Sequence, residues 1–408
     1  MAYTIISNPG SNSKKYSIYR EENLIHSLYL DPNSGHPQCF IKEGNLPETI
    51  VPIPSAKDGA GFLKKFLKAK DISIEDVDAI MIRVVATGDY FAKDHVVDDE
   101  YLFLLDRLIE DQHPLHAPIV RDEILALEKT FDNVRILSIS DSKFHSGRPD
   151  KSMYYGINPT FADSYQIKRY GAHGLSMESV CQKLKKANGK IPEKLIVCHI
   201  GSGVSVTAIR NGESIETTMG FTPLEGVMMG TRCGNIDIAA AIQMKKALGY
   251  DDNELIEALN LHSGLRGVGG SGDYRDIAAN KKCYLDEAGK RPKLAYEMFV
   301  YDIVKAIGEM TAVMDGVDAI VFAATISERD PTIRTAIVKS LDYLGFRIDE
   351  RKNVVNLETP VFDISASAQL DFNEEDEASV IISKPIYVIK IDESEAMLGH
   401  KKALLGFT

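Results

Sequence analysis

The chain has 408 residues, 44% hydrophobic and 26% charged, and 47 Lys and Arg against 59 Asp and Glu give a net charge of −12. Such a composition is that of a globular protein of about two to three domains, and its acidity argues against nucleic acid or an anionic membrane as main partner. No apolar run approaches the roughly 18 residues that span a bilayer and no basic-then-apolar leader opens the chain, so a cytoplasmic location is expected.

The segment Tyr3–Tyr19 reads as an apolar strand, a Gly/Ser turn at Gly10-Ser11-Asn12-Ser13 and a second strand. A polar loop at Asp31–Pro37 follows, then a helix over Gly61–Lys70 whose Phe62, Leu63, Phe66 and Leu67 share one face. The strand Val77–Val85 carries Arg83 inside an apolar run. A buried arginine is rare unless paired, so it is either an anion clamp or half of a structural ion pair. Asp98–Thr130 is helical with a break at His113–Pro118, and the strand Val134–Ser140 ends in Asp141. A carboxylate at the C-terminal edge of such a strand sits where ligands bind, to hold a metal or position a reacting group; the other reading is a turn or cap.

His173 stands between Gly171 and Gly174, ahead of a helix expected from Ser176 to before Asn188-Gly189. It is placed to meet an anion, or is one of the many inert histidines. Ile196–Gly220 then repeats the opening pattern: an apolar strand, a break at Gly201-Ser202-Gly203, a strand to Ile209 and an Asn211-Gly212 turn. The first of these turns lacks bulk, so its backbone can approach a phosphate, with the Ser202 and Ser205 hydroxyls nearby. The loop Thr222–Asp237 sets Glu225, Thr231, Arg232 and Asp237 among glycines, and a helix Ile238–Leu248 stops at Gly249. Ser263–Asp276 is rich enough in glycine to be expected irregular; its Asp273, Tyr274 and Arg275 suit a nucleoside, or the stretch is a hinge. A core helix is expected over Lys293–Met314, with Leu294, Met298, Tyr301, Val304, Ile307, Met310 and Met314 inward. The last strand, Ile386–Ile391, leads into Asp392-Glu393 and a terminal helix. Cys39, Cys181, Cys198, Cys233 and Cys283 lack metal or disulfide spacing and are expected reduced.

Both glycine-serine hairpins are followed by near-identical strand openings, Val77-Asp-Ala-Ile-Met81 and Val317-Asp-Ala-Ile-Val321. A repeat of that order implies two similar α/β domains facing one another across a cleft.

With these residues in view, the chain resembles the acetate kinase family, within the actin, sugar-kinase and chaperone ATPase superfamily, over essentially its whole length. The likeness is carried by Met219–Gly234, Tyr170-Gly-Ala-His-Gly174, Cys198–Gly203 and Asn8–Lys15. It implies an α/β fold of two duplicated actin/ribonuclease-H-like domains with a central interdomain cleft, residues 1–149 with 385–408 forming one and 150–384 the nucleotide-binding other. In the family the last strand and helix return to the first domain. The resemblance also implies Mg²⁺ (or Mn²⁺)-dependent, reversible phosphoryl transfer from ATP to a short-chain carboxylate, by a homodimer.

By the same resemblance Asp141, His173 and Arg232 are catalytic, and Arg83, Val85, Leu115, Ala172 and Pro223 bind the carboxylate and its methyl group. Asn8 and Glu393 serve the metal. Ser11, Ser13 and Lys15 lie on the first phosphate loop and His199, Gly201, Ser202 and Gly203 on the second; Asp273, Tyr274, Arg275, Thr325, Ile326 and Ser327 surround the nucleoside. Several departures stand out: Ala86-Thr-Gly88 for His-Gly-Gly, Ile82 for the residue before Arg83, Met177 for a second histidine, Ser202 for an asparagine, and Ala172 for a phenylalanine of the acyl pocket. The last predicts tolerance of propionate or longer acids. Ala324-Thr-Ile-Ser-Glu-Arg329 replaces a Gly-Ile-Gly-Glu-Asn type loop, which narrows the base pocket and leaves another nucleotide or pyrophosphate as alternative donor. A non-catalytic binding protein on this scaffold is the rival reading, but such a protein would be expected to lose part of the set Arg83, Asp141, His173, Arg232 and Glu393.

Overall fold

The computed structural model describes residues 2–10, 13–31, 37–44, 46–53, 55, 58–112, 116–355, 359–367, 369–372 and 378–406. Two compact units are present, residues 1–143 with 392–408 and residues 144–391.

In the first unit, strands β1 (Tyr3–Pro9), β2 (Lys14–Arg20), β3 (Asn23–Asp31), β4 (Gln38–Glu43), β5 (Thr49–Pro52), β6 (Val77–Val84), β7 (His95–Val96) and β8 (Arg135–Ser140) form one sheet. Their order is β5-β4-β3-β2-β1-β6-β8-β7. The apolar runs of β1 and β6 are buried on both faces, as central strands require. Helix Gly59–Ala69 is capped by Asp58, whose carboxylate accepts the Gly61 N–H at 3.1 Å, and it buries Leu63, Phe66 and Leu67. Helix Ala117–Thr130 buries Val120, Ile124 and Leu127 into the same core.

The second unit holds β9 (Lys194–Ile200), β10 (Val204–Arg210), β11 (Glu213–Thr217), β12 (Ala319–Ala323), β13 (Val361–Asp363), β14 (Gln369–Phe372), β15 (Ala378–Ile381) and β16 (Ile386–Ile389). Its main sheet runs β11-β10-β9-β12-β16-β13, with β14 and β15 paired apart. The segment β3-β2-β1-β6-β8 of the first sheet and β11-β10-β9-β12-β16 of the second are the same arrangement: an antiparallel hairpin whose first strand lies parallel to a later one. The internal repeat read from Val77–Met81 and Val317–Val321 is therefore a repeat of topology. Strand β16 pairs with β12 inside the second unit, whereas the resemblance implied its return to the first; only the segment from Asp392 onward does so.

Two elements depart from expectation. Ser263–Asp276 is not irregular: it forms helices Gly264–Gly269 and Tyr274–Ala279. Its glycines serve close packing, since a Cβ on Gly269 would lie 2.5 Å from Ile277 Cδ1 and 2.8 Å from Ala295 Cβ. The long helix, Pro292–Val313, buries Ala295, Phe299, Ile303, Ala306 and Ile307, while Leu294, Met298 and Tyr301 of the expected core stripe point outward. The inner stripe mixes the alanines and Phe299 with Ile303, Ile307 and Met310.

Candidate active site

In the first unit the site begins where three parallel strands end. Arg83 sits one residue before the end of β6, paired in register with Ile139 of β8, and Asp141 follows β8 with its N–H donating to Val84 O at 2.9 Å. Arg83 Nη2 donates to Asp141 Oδ2 at 2.9 Å and Nη1 to Glu393 Oε2 at 3.0 Å. The Asp141 side chain is fully buried, the other two 17% and 16% exposed. Burial alone would weaken the guanidinium's charge, but the two carboxylates outweigh it and hold its pKa above the ordinary value. Asn8, on β1, donates Nδ2 to the same Glu393 oxygen at 3.0 Å. Sequence left Arg83 open between anion clamp and ion pair; it is at least the latter.

A support beneath Asp141 went unnoticed in the sequence. Asp94 accepts Ser140 N at 3.0 Å, Lys143 Nζ at 2.6 Å and His400 Nδ1 at 2.7 Å, tying the loop around Asp141 to the chain beyond Glu393. Burial pushes the Asp94 carboxyl up, but His400 and Lys143 outweigh it and hold it below its usual value.

In the second unit the site is organised by the turn Gly201–Gly203 between β9 and β10. His173 has φ 63° and ψ 22°, a left-handed conformation rare for a side-chain-bearing residue, directly before helix Gly174–Asn188. That helix starts two residues ahead of the expected Ser176. The ring stacks on His199 at 3.8 Å and its Nδ1 meets Ser205 Oγ at 2.9 Å. A Cβ built on Gly203 would stand 3.2 Å from His173 Nε2 and 3.4 Å from Arg232 Nη1. Imidazole and guanidinium thus converge on one glycine of the hairpin turn.

Arg232 is aimed by its loop. Met229 N donates to Arg232 O at 3.0 Å, Gly230 N to Ser202 O at 3.3 Å, and Ser263 N and Leu265 N reach back to Thr231 O and Met229 O at 3.0 and 2.9 Å. Gly264, at φ +61°, must lack a side chain because a Cβ would lie 2.2 Å from Met229 O. Arg232 Nη1 donates to Pro223 O at 3.2 Å.

The turn's other neighbours are the expected nucleoside segments. A Cβ on Gly201 would touch Ala324 Cβ at 3.5 Å, and one on Gly230 would meet Gly272 O at 2.8 Å. Asp273 caps helix Tyr274–Ala279 and pairs with Arg275 at 2.6 Å. Tyr274 is 5% exposed, packs on Phe299 and donates its hydroxyl to Asp330 at 2.7 Å, so its ring belongs to the core beneath the loop. Ala324 has φ 69° and ψ 165°, a region usual only for glycine. Thr325, Ile326 and Ser327 open a short helix; Ser327 is buried and its hydroxyl returns to Ala323 O at 2.6 Å. Glu328 Oε1 accepts both Ala324 N at 3.0 Å and Ile391 N at 3.2 Å, and the buried Arg334 grips the Ser327 and Glu328 carbonyls. Burial raises the Glu328 carboxyl and lowers the Arg334 guanidinium, the latter to about 10.

Of the remaining expected residues, Val85 and Pro223 are half-buried, Ala172 is 2% exposed, and Ser13 and Lys15 flank the first turn, closed by Gly10 N donating to Ser13 O at 2.7 Å. Ser11 and Leu115 lie outside the described residues.

The model of the acetokinase family matches residues 3–373. The chain belongs to the acetokinase family. Family membership bears out the enzyme class expected from the sequence, a phosphotransferase with a carboxyl acceptor. An acetate kinase of Caldanaerobacter subterraneus is 35% identical over 363 residues, 86% of this chain and 90% of that protein. One of Lacticaseibacillus paracasei is 36% identical over 366 residues, again 86% and 90%. Among solved structures, a propionate kinase from Francisella tularensis superposes with a TM-score of 0.83 at 29% identity, covering 99% of this chain and all of that one. An acetate kinase from Entamoeba histolytica gives 0.81 at 27% identity, each chain covered in full.

Proposed function

We propose that this chain transfers the γ-phosphoryl group of ATP reversibly to acetate, giving acetyl phosphate and ADP. A carboxylate oxygen attacks the γ-phosphorus while the bond to the leaving ADP oxygen breaks. There is little covalent work for the protein, so rate comes from orientation and from cations placed where negative charge spreads. The observation that carries this reading is the convergence of His173 Nε2 and Arg232 Nη1 on Gly203, in a turn whose bare backbone suits a phosphate. His173 and Arg232 then neutralise the transferring group, Arg83 holds the carboxylate, and the turns at Gly10–Ser13 and Gly201–Gly203 cradle the donor phosphates. The assignment of Val85, Leu115, Ala172 and Pro223 to the acyl chain rests on the family resemblance.

Asn8, Asp141 and Glu393 offer hard oxygen donors, the chemistry Mg²⁺ or Mn²⁺ prefers. Among the described residues no group of three or more His, Cys, Asp or Glu forms a metal site. That suits a cation carried largely by substrate phosphates, which needs only one or two protein carboxylates. Such an ion, when bound, would screen charge on the donor phosphates; Glu393 and Asp141 would hold it, and Arg83 aligns both carboxylates through its bonds to each.

The test is an acyl hydroxamate assay on the purified protein with acetate, propionate and butyrate against ATP, GTP and pyrophosphate. Acyl phosphate is expected with acetate and ATP, and kcat/KM for propionate within about tenfold of acetate, because alanine stands at 172 where the family has a ring and one methylene is worth about 1–3 kcal/mol. No acyl phosphate from any pair sinks the reading. A clear advantage of pyrophosphate would instead reassign the donor, as the altered loop at Thr325–Ser327 allows.

The assembly proposed is a homodimer in the cytoplasm. Its support is an apolar face: helix Ile238–Leu248 buries none of its residues, leaving Ile238 76% and Leu248 53% exposed, with Tyr301 at 64%. The double substitution Ile238→Glu, Ile242→Glu is expected to yield monomer by size exclusion with light scattering; an unchanged dimer would place the interface elsewhere. All five cysteines are free, as a reducing compartment requires.

A further inference from the structure

The apolar stripe of helix Ala117–Thr130 contains one charge. Glu123 shares its buried side with Val120, Ile124 and Leu127 and has no solvent exposure. A carboxylate there is costly unless it is fully engaged. Three donors engage it, and all come from one hairpin: Ser7 Oγ at 3.1 Å and Tyr16 OH at 2.7 Å to Oε1, and Lys14 Nζ at 2.5 Å to Oε2.

The register explains why these three share a face. Ser7 pairs with Tyr16 and Pro9 with Lys14, while Asn8 pairs with Lys15 in between. Side chains alternate along a strand, so Ser7, Lys14 and Tyr16 project one way and Asn8 and Lys15 the other. On that other face Asn8 reaches Glu393 at 3.0 Å. Glu123 therefore grips both stems of the first glycine-serine turn from behind. The space is kept open by Gly59, where a Cβ would stand 2.3 Å from Tyr16 OH and 2.7 Å from Lys14 Cδ. Burial and the facing carboxylate push the Tyr16 phenol upward, which keeps it a proton donor to Glu123.

We propose that Glu123 is a positioning residue for the phosphoryl donor: by tying Ser7, Lys14 and Tyr16 to one helix it fixes the two ends of the turn Gly10–Ser13, and with it the orientation of Asn8. It does not touch substrate. The proposal rests on the reading of that turn as a phosphate loop. Charge alone is not what the device supplies, since a bidentate carboxylate takes donors from two strands at once and glutamine offers only one acceptor oxygen and a competing NH₂ beside Lys14.

The test compares wild type with Glu123→Gln, Tyr16→Phe and Ser7→Ala, measuring KM for ATP, KM for acetate and kcat, with ADP affinity by calorimetry as a readout free of turnover. Glu123→Gln is expected to raise KM for ATP and Kd for ADP by at least about tenfold, with KM for acetate within twofold. Tyr16→Phe and Ser7→Ala, which keep the Glu123–Lys14 ion pair, should each raise the same two constants by about two- to fivefold. Should Glu123→Gln fail to fold, those two variants decide the matter. Unchanged donor constants in the folded variants, or donor and acetate constants rising together, overturn the proposal. Wild type that binds ADP yet makes no acyl phosphate would leave the positioning result standing and instead sink the kinase reading.

Discussion

Arg83→Ala is expected to lower kcat/KM for the carboxylate by about a thousandfold or more and to cost about 3 kcal/mol of stability, the two losses having one origin. Arg83 is the only cation that the described hydrogen bonds place against both Asp141 and Glu393, at 2.9 and 3.0 Å, and the Asp141 side chain has no exposure at all. Removing a buried ion's partner costs more than the pair contributes, because the charge that stays has already lost its water. Arg83→Lys should recover part of the stability and little of the activity, since an ammonium cannot fork to two carboxylates and also present a planar face to a third. Urea denaturation and steady-state kinetics on the same preparations check both statements. A folded alanine variant within tenfold of wild type would remove Arg83 from the site.

Arg232→Ala should behave differently, lowering kcat by about 10²–10³ or more while leaving the unfolding transition close to wild type. The loop that carries Arg232 is held by backbone hydrogen bonds, among them Met229 N to Arg232 O, Ser263 N to Thr231 O and Leu265 N to Met229 O, none of which needs the guanidinium. The side chain gives up a bond to Pro223 O and its place beside His173 at Gly203. An interaction made mainly as charge develops on the moving phosphoryl group shows in kcat more than in KM. Equal rises in both KM values with kcat intact would make Arg232 a ground-state binder and move the transition-state role to His173.

The same contrast separates what was legible in the sequence from what was not. Glycine-serine turns between apolar strands, a repeated Val-Asp-Ala-Ile opening, and single charges at strand ends are local signals: they depend on backbone freedom and on period-two burial, which a few neighbouring residues dictate. Helix Ile238–Leu248 was read to the residue because its Asp237 cap and Gly249 stop are themselves local. The glycine-rich stretch after Ser263 was misread because flexible composition and close helix packing look identical until a neighbour, here Ala295, is known to be 2.8 Å from where a Cβ would be. On the long helix after Arg291 the expected inward stripe holds at Ile307, Met310 and Met314 and fails at Leu294, Met298 and Tyr301, for a related reason. A helix apolar over most of its circumference carries little directional signal, and the sheet it meets selects the face.

The sequence by itself determined the repeated α/β architecture, the family and the identities of the charged groups at the strand ends, since each is written in short-range pattern. Only the tertiary structure decided which carboxylate each cation faces, that Glu123 stands behind the first turn and Asp94 beneath Asp141, and that β16 stays with the second sheet. These are choices among partners far apart in the chain, Arg83 and Glu393 above all. They are settled by which buried charges can satisfy one another once water is gone, a condition that exists only after the chain has folded.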